Sequence, residues 1–199
     1  MTFDQRLYLS LFSVVAILWP YWAAGQEVVD WSQLPDFIAL RQEMGESADF
    51  YSTCESNEQP ESNKQIIAHL KSEDWEAAAR SAEVRLQACP VDIEMHAYAS
   101  AALEKLDRGP EAQQHIDWYN GLIDSVLESG DGKTPETAFV TISVMEEYAI
   151  LRAFRLKRKS QSLVGTRDLF VVTDSSDEES EIYFYPELHW KRMEAMFSR

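Results

Sequence analysis

Two stretches decide how this chain reads: HLKSEDWEAA, residues 69–78, and LEKLDRGPEA, residues 103–112. Sliding the sequence against itself by 34 residues lays one over the other, so that Ala68 meets Ala102, Lys71 meets Lys105 and Ala78 meets Ala112. Self-similarity at a fixed period of this length marks stacked helical units, each too small to bury its apolar face alone. The repeat predicts helices from Asn63 onward, turns at Glu73 and Asp107, and a last repeat helix ending near Ser129.

The period is that of a tetratricopeptide repeat, and the first unit resembles one. Trp75 and Ala78 stand at the aromatic and small positions of its second helix, and Pro90 closes the unit. The departures are the missing turn glycine at Glu73 and Asp107, an arginine at position 85 where a small residue is usual, and no third unit. About three units or a cap are needed to bury such a core, so the flanking chain has to supply the cap. Upstream, Trp31, Leu34, Phe37, Ile38, Leu40 and Met44 have helical spacing, with Pro35 and Asp36 suited to a first turn. A polar loop is expected from Tyr51 to Asn63.

Downstream, Gly130-Asp131-Gly132-Lys133-Thr134-Pro135 breaks the helix. FVTISV, Phe139 to Val144, reads as a strand; MEEYAILRAF, Met145 to Phe154, reads as a helix with Tyr148, Ala149 and Leu151 inward, a strand being the alternative. LFVVTD from Leu169 and EIYFYP from Glu181 read as a hairpin joined by an acidic turn, and Glu187 to Phe197 as a closing helix. The expected fold class is α+β: tetratricopeptide-like helical hairpins, residues 26–130, packed against a small antiparallel β half, residues 131–199, as one structural unit.

The apolar run from Leu7 to Ala24 ends in Ala23-Ala24-Gly25 and is interrupted by Ser10, Ser13 and Pro20. It reads as a signal peptide, residues 1–25, cleaved after Gly25; an uncleaved membrane anchor is the alternative. The expected address is therefore exported: periplasmic, or else secreted or membrane-anchored. In an oxidising compartment Cys54 and Cys89 are expected to bond, stabilising a loop of that length by ~3–4 kcal/mol. Two separate buried thiols are the other reading.

The stretch LIDSVLESGDGKTPETAFVTISVMEEYAIL, Leu122 to Leu151, resembles the signature of a family of bacterial exported proteins whose domain has no assigned function. LKRKSQSLVG, EIYFYPEL and VDWSQLPDFIALR fit the same family. The resemblance implies a helical half, a small mixed β half and export, and it brings no catalytic residues.

The formal net charge of -16 makes nucleic acid an unsuitable partner. The charge is uneven: residues 26–130 hold 21 acids against 7 bases, whereas 131–199 hold 12 against 10. GDGKT fails as a phosphate loop because the required first glycine falls on Leu127 and a helix precedes it. Asp131, Lys133 and Glu136 remain ligand candidates there, against the plainer reading of a tight turn whose Asp131 bonds local amides. Calcium at Asp131 and Glu136 lacks the regular acidic spacing. His69, His96, His115 and His189 have no zinc spacing, and no metal, cofactor or catalytic residue is assigned.

Glu146 and Glu147 are the acids to watch, as a ligand site or as first-turn helix charge. Arg152, Arg155 and Lys157, with Arg158, Lys159 and Arg167, form the one basic cluster, read as an anion or partner patch or as a charged edge strand. Trp118 and Tyr119, if exposed, would mark a peptide groove on the acidic helices. The expected function is a non-enzymatic protein- or peptide-binding module acting on a basic partner through the acidic helical-repeat surface, an immunity-type or inhibitory role being its narrower form; the alternative is a small-ligand receptor or an enzyme with a site between the halves. Membrane contact enters only with an uncleaved signal.

Overall fold

The computed structural model describes residues 28–56 and 63–197. The expected signal segment and its cleavage site therefore lie outside the described residues. Among the described residues, seven α-helices and four strands follow the order α1 (Phe37–Glu46), α2 (Asn63–Lys71), α3 (Trp75–Ala88), α4 (Ile93–Lys105), α5 (Gly109–Leu127), β1 (Phe139–Val140), α6 (Val144–Ala153), β2 (Lys157–Val164), β3 (Arg167–Thr173), β4 (Glu179–Tyr185) and α7 (Glu187–Phe197).

Helices α2–α3 and α4–α5 are the two repeat hairpins. Both turns close in the same way. Glu73 and Asp107 take positive φ, 59° and 57°. Behind them Asp74 N donates to His69 O at 3.0 Å and Glu73 N to Leu70 O, while Arg108 N donates to Leu103 O and Asp107 N to Glu104 O. These paired bonds satisfy the last carbonyls of each helix, the job usually done around a glycine. The same closure ends α6, where Arg155 has φ 56° and Leu156 N reaches Leu151 O. The repeat's alanines Ala78, Ala102 and Ala112 form a tight buried seam with Ala79 and Leu103. Asp74 and Asp92 cap α3 and α4 through Ala77 N and Met95 N.

The cap expected from the flanks is supplied from both sides. Asp36 caps α1, accepting from Ile38 N and Ala39 N, and α1 lies on α5 so closely that a Cβ at Gly121 would stand 2.1 Å from the Phe37 ring. Trp31 precedes α1 in a turn and is buried with Ile66, Leu86, Met95 and Trp118. Leu34 and Ile38 of the predicted stripe face outward instead. A second core joins Leu122 and Val126 of α5 to Ile142, Ile150, Phe170, Phe184 and Leu188, so one apolar interior crosses residue 130.

The sheet order is β1-β4-β3-β2. β2, β3 and β4 are antiparallel, but β1 runs parallel to β4, Phe139 against Phe184, so the sheet is mixed rather than antiparallel throughout. The strand expected over Phe139 to Val144 stops at Val140, because Ser143 caps α6 by accepting from Glu146 N. On β3 burial alternates, with Asp168, Phe170 and Val172 inward. Every residue of β2 is exposed and its pairing is interrupted by a bulge at Lys159. The basic run is thus an edge strand carrying two known defences against edge pairing, lysines and a bulge.

Cys54 and Cys89 are bonded, Cα atoms 5.3 Å apart. Cys54 sits in a turn of π-helix, Tyr51–Glu55, where a loop was expected. Arg85 explains its own departure from the repeat pattern. Buried, it donates to Thr53 O at 2.6 Å and to Cys54 O, and its Nε is 3.4 Å from Asp92, so it anchors the disulfide turn against α3.

Candidate functional site

The predicted ligand groups are placed in separate structural roles. Glu146 is buried in a forked ion pair with Arg41, at 2.7 and 2.8 Å, and its Oε2 also accepts from Ile142 N at 2.9 Å. Both oxygens are engaged in holding α1 and α6 together. Glu147 is fully buried; Thr141 Oγ1 reaches its Oε1 at 3.4 Å, and Oε2 has no hydrogen-bond partner among the described residues. Burial first, and then the Asp168 carboxylate, push its pKa up to about 9. At neutral pH it is an uncharged acid in the seam between α6 and the sheet.

The GDGKTPE loop is a turn. Asp131 Oδ1 accepts from Lys133 N at 3.1 Å and from Thr137 Oγ1 at 2.6 Å, and these bonds hold its carboxyl below the usual range. Gly132 has φ 66°, a Cβ there would meet the Phe139 ring at 2.4 Å, and its carbonyl accepts from Tyr183 N, tying the loop to β4. Lys133 and Glu136 are exposed. Arg152 pairs with Glu94 of α4 at 2.8 Å, Arg155 ends α6, and Lys157 opens β2. Lys159 pairs with Glu179, and Arg158 lies over the Tyr148 ring. The cavity that touches Glu146 between the halves, lined also by Cys89, Val91 and Ile142, is about 30 Å³, the size of one water, and neither Asp131, Lys133 nor Lys157 reaches it.

Trp118 is not exposed. It is buried, with its Nε1 donating to Trp31 O at 3.0 Å, and Tyr119 is half-buried against the second core. Of the aromatic pair expected to face a peptide, Trp118 is therefore part of the interior and Tyr119 lies at its edge. The reason is the turn at Trp31, which covers the face of α5 that an isolated repeat would leave open.

What the hairpins do expose is a groove of about 420 Å³ between α3 and α5. Its walls carry Glu76, Arg80, Glu83 and Val84 from α3 and Arg108, Glu111 and Gln114 from α5, with Trp31 and His115 at the base. Arg108 is engaged by Glu111. Glu83 is held in place: each oxygen accepts from Trp31 Nε1 at 2.9 Å, and Oε1 from Gln87 Nε2 at 2.7 Å. Val84 is 51 % exposed on the rim.

Beneath Glu83 two histidines meet. His96 and His115 are both buried, with Nδ1 atoms 3.0 Å apart, and His96 Nε2 is 2.9 Å from Pro90 O. The rings pack among Trp31 and Trp118 at centroid distances of 5.3 to 5.4 Å. Burial pushes His96 down to about 3 and lowers His115 as well, the nearby carboxylates of Glu83 and Glu111 opposing the latter shift. Sequence reasoning passed over this pair. The repeat register carried one signal: Ser81 and His115 are 34 positions apart and both are buried, so position 115 belongs to the face between hairpins. Among the described residues no group of three or more histidine, cysteine or acidic side chains gathers as a metal site.

These features define an α+β protein in which two capped helical-repeat hairpins carry an acidic groove and a small mixed sheet closes one end. The chain belongs to the family described as a domain of unknown function, DUF4919, which matches residues 47–193. The resemblance drawn from the Leu122 to Leu151 stretch is to a family of that standing. No curated protein and no solved structure matches the chain.

Proposed function

We propose that this is an exported, non-enzymatic binding module that takes a basic protein or peptide segment through the acidic surface of its helical repeat. An inhibitory or immunity-type role against a basic exported protein is the narrower form of the reading. The observation that carries it is the α3–α5 groove, an open cleft where Glu76, Glu83 and Glu111 outnumber Arg80 and Arg108, with an exposed apolar residue, Val84, at its rim. The net charge of -16 supports electrostatic steering of a basic partner. The apolar segment ahead of residue 26 and the Cys54–Cys89 bond support an address outside the cytoplasm, and no described helix is long and apolar enough to cross a membrane.

The test is site-directed photocrosslinking of the full chain expressed in its source cell. A benzophenone amino acid replaces Val84 in the groove or, as control, Leu163 on β2. A basic protein crosslinked at 84, absent at 163, weakened by salt and by Glu76→Gln/Glu83→Gln/Glu111→Gln, supports the reading. No specific adduct at 84 from folded protein overturns it.

A further inference from the structure

The histidine pair fixes where its protons are. Pro90 O can only accept, so His96 Nε2 carries a hydrogen and donates across 2.9 Å. His96 is neutral, as burial dictates, so its Nδ1 holds a lone pair and accepts from His115 Nδ1 across 3.0 Å. A neutral His115 with its proton on Nδ1 has a bare Nε2. That atom belongs to a residue 3 % exposed, on the base of the groove, and lies 3.9 Å from Glu83 Oε2, beyond hydrogen-bond reach. Two acceptors, one of them an anion, thus face each other across a gap. Glu83 Oε2 already accepts from Trp31 Nε1 at 2.9 Å, so the unmet demand is at His115 Nε2, and an incoming N–H donor can serve that lone pair while its charge lies against the Glu83 carboxylate.

Resting on the reading of the groove as the partner site, we propose that it receives a single cationic side chain of the partner, a lysine ammonium or arginine guanidinium, held between the Glu83 carboxylate and the His115 Nε2 lone pair. The site is also proton-gated. A proton taken up at Nε2 converts the acceptor into a donor, which pairs with Glu83 itself and repels the incoming cation. The charged groups facing His115 are Glu76, Arg80 and Glu83 on α3, Arg108 and Glu111 on α5, and His96 on α4. Arg108 and Glu111 cancel as a pair. The burial that lowers His115 keeps the lone pair available at neutral pH, and release follows as the pH drops below the ~6.5 of an ordinary imidazole.

The test follows the histidine side-chain nitrogens of the full chain by NMR while N-acetyl-arginine amide is added, with N-acetyl-citrulline amide as the uncharged isostere. Near pH 7.5, well above an ordinary imidazole, the His115 Nε2 resonance is expected to be that of an unprotonated nitrogen and to shift with the arginine compound only. Glu83→Gln, conservative at a half-exposed site, is expected to weaken that response by about tenfold, the scale of a lost hydrogen bond to a charged group. The response is expected to weaken progressively as the pH is lowered below that of an ordinary imidazole. A protonated Nε2 in the free protein at neutral pH, an equal response to citrulline, or no response at His115 overturns the inference. If these fail while crosslinking at Val84 succeeds, the groove is a docking surface without this cation site. An arginine response at His115 without any crosslinked protein supports the cation site and overturns the protein-partner reading.

Discussion

Arg41 and Glu146 are 105 positions apart and meet through two parallel hydrogen bonds, Nε to Oε1 at 2.7 Å and Nη2 to Oε2 at 2.8 Å, both side chains buried. The same guanidinium donates to Ser125 O at 3.1 Å and Val140 O at 2.9 Å. One side chain on α1 therefore holds α5, β1 and α6, and its carboxylate partner serves the fold.

Removing one partner strands a buried charge, so Arg41→Met is expected to destabilise the protein by ~3–5 kcal/mol. Arg41→Met/Glu146→Leu should recover part of that loss, because the uncompensated carboxylate goes with it. Urea unfolding of the two single variants and the double variant gives the coupling. Strict additivity would show that the pair does not act as a unit.

Glu147 gives a slope on the alkaline side. Its folded pKa of about 9 lies above the unfolded 4.5. Between these values the unfolded chain has lost the proton that the folded chain keeps, so stability falls as pH rises through that window and levels off above it. Glu147→Gln keeps the shape without titrating. Its stability relative to the parent is expected to grow steadily from pH 5 to pH 9, a window set by those two values. A constant difference across it would contradict the buried neutral acid.

The histidines act in the opposite sense. His96 is at about 3 when folded and 6.5 when unfolded, so between the two the unfolded chain binds the extra proton. Stability is fully present above 6.5 and is lost as pH falls toward 3. In NMR titration the His96 ring is expected to stay neutral until the protein unfolds in acid. A reversible native-state titration near the ordinary value would refute its assignment as the neutral acceptor of the His115 Nδ1 hydrogen.

Glu73 and Asp107 occupy the left-handed region, where a β-carbon costs roughly 1 kcal/mol and glycine nothing. Glu73→Gly and Asp107→Gly are each expected to stabilise by roughly 0.5 kcal/mol after the entropy of the freer unfolded chain is subtracted. Thermal unfolding should show a rise of about 1–2 °C for each. A loss at either site would mean that its side chain makes a contact worth more than the strain.

The helical half was legible because Ala68/Ala102 and Ala78/Ala112 repeat as residues, not only as hydropathy. The closing helix and the hairpin of β3 and β4 were legible for similarly local reasons, and the Cys54–Cys89 bond because the chain holds just these two cysteines. Trp118 was not: whether an aromatic on α5 faces solvent or core depends on Trp31, 87 positions away, folding over it. β2 offered no alternation to read, since both of its faces are exposed, and only its charge pointed to an edge. The groove was least legible of all. Glu83, His115 and Trp31 come from three segments with no shared motif, and only the packing of α3 and α5 on α4, with the Trp31 turn laid over them, assembles them.

The contact of Phe37 with Gly121 has an evolutionary consequence. Repeat arrays ordinarily lengthen by duplicating a unit and stacking the copy on the exposed end. Here α1 occupies one flank of α5, and the core shared with α6 and the sheet occupies its far end, so a 34-residue unit added after α5 would find no free seat. Extension of the array past α5 would have to displace α1 or the sheet.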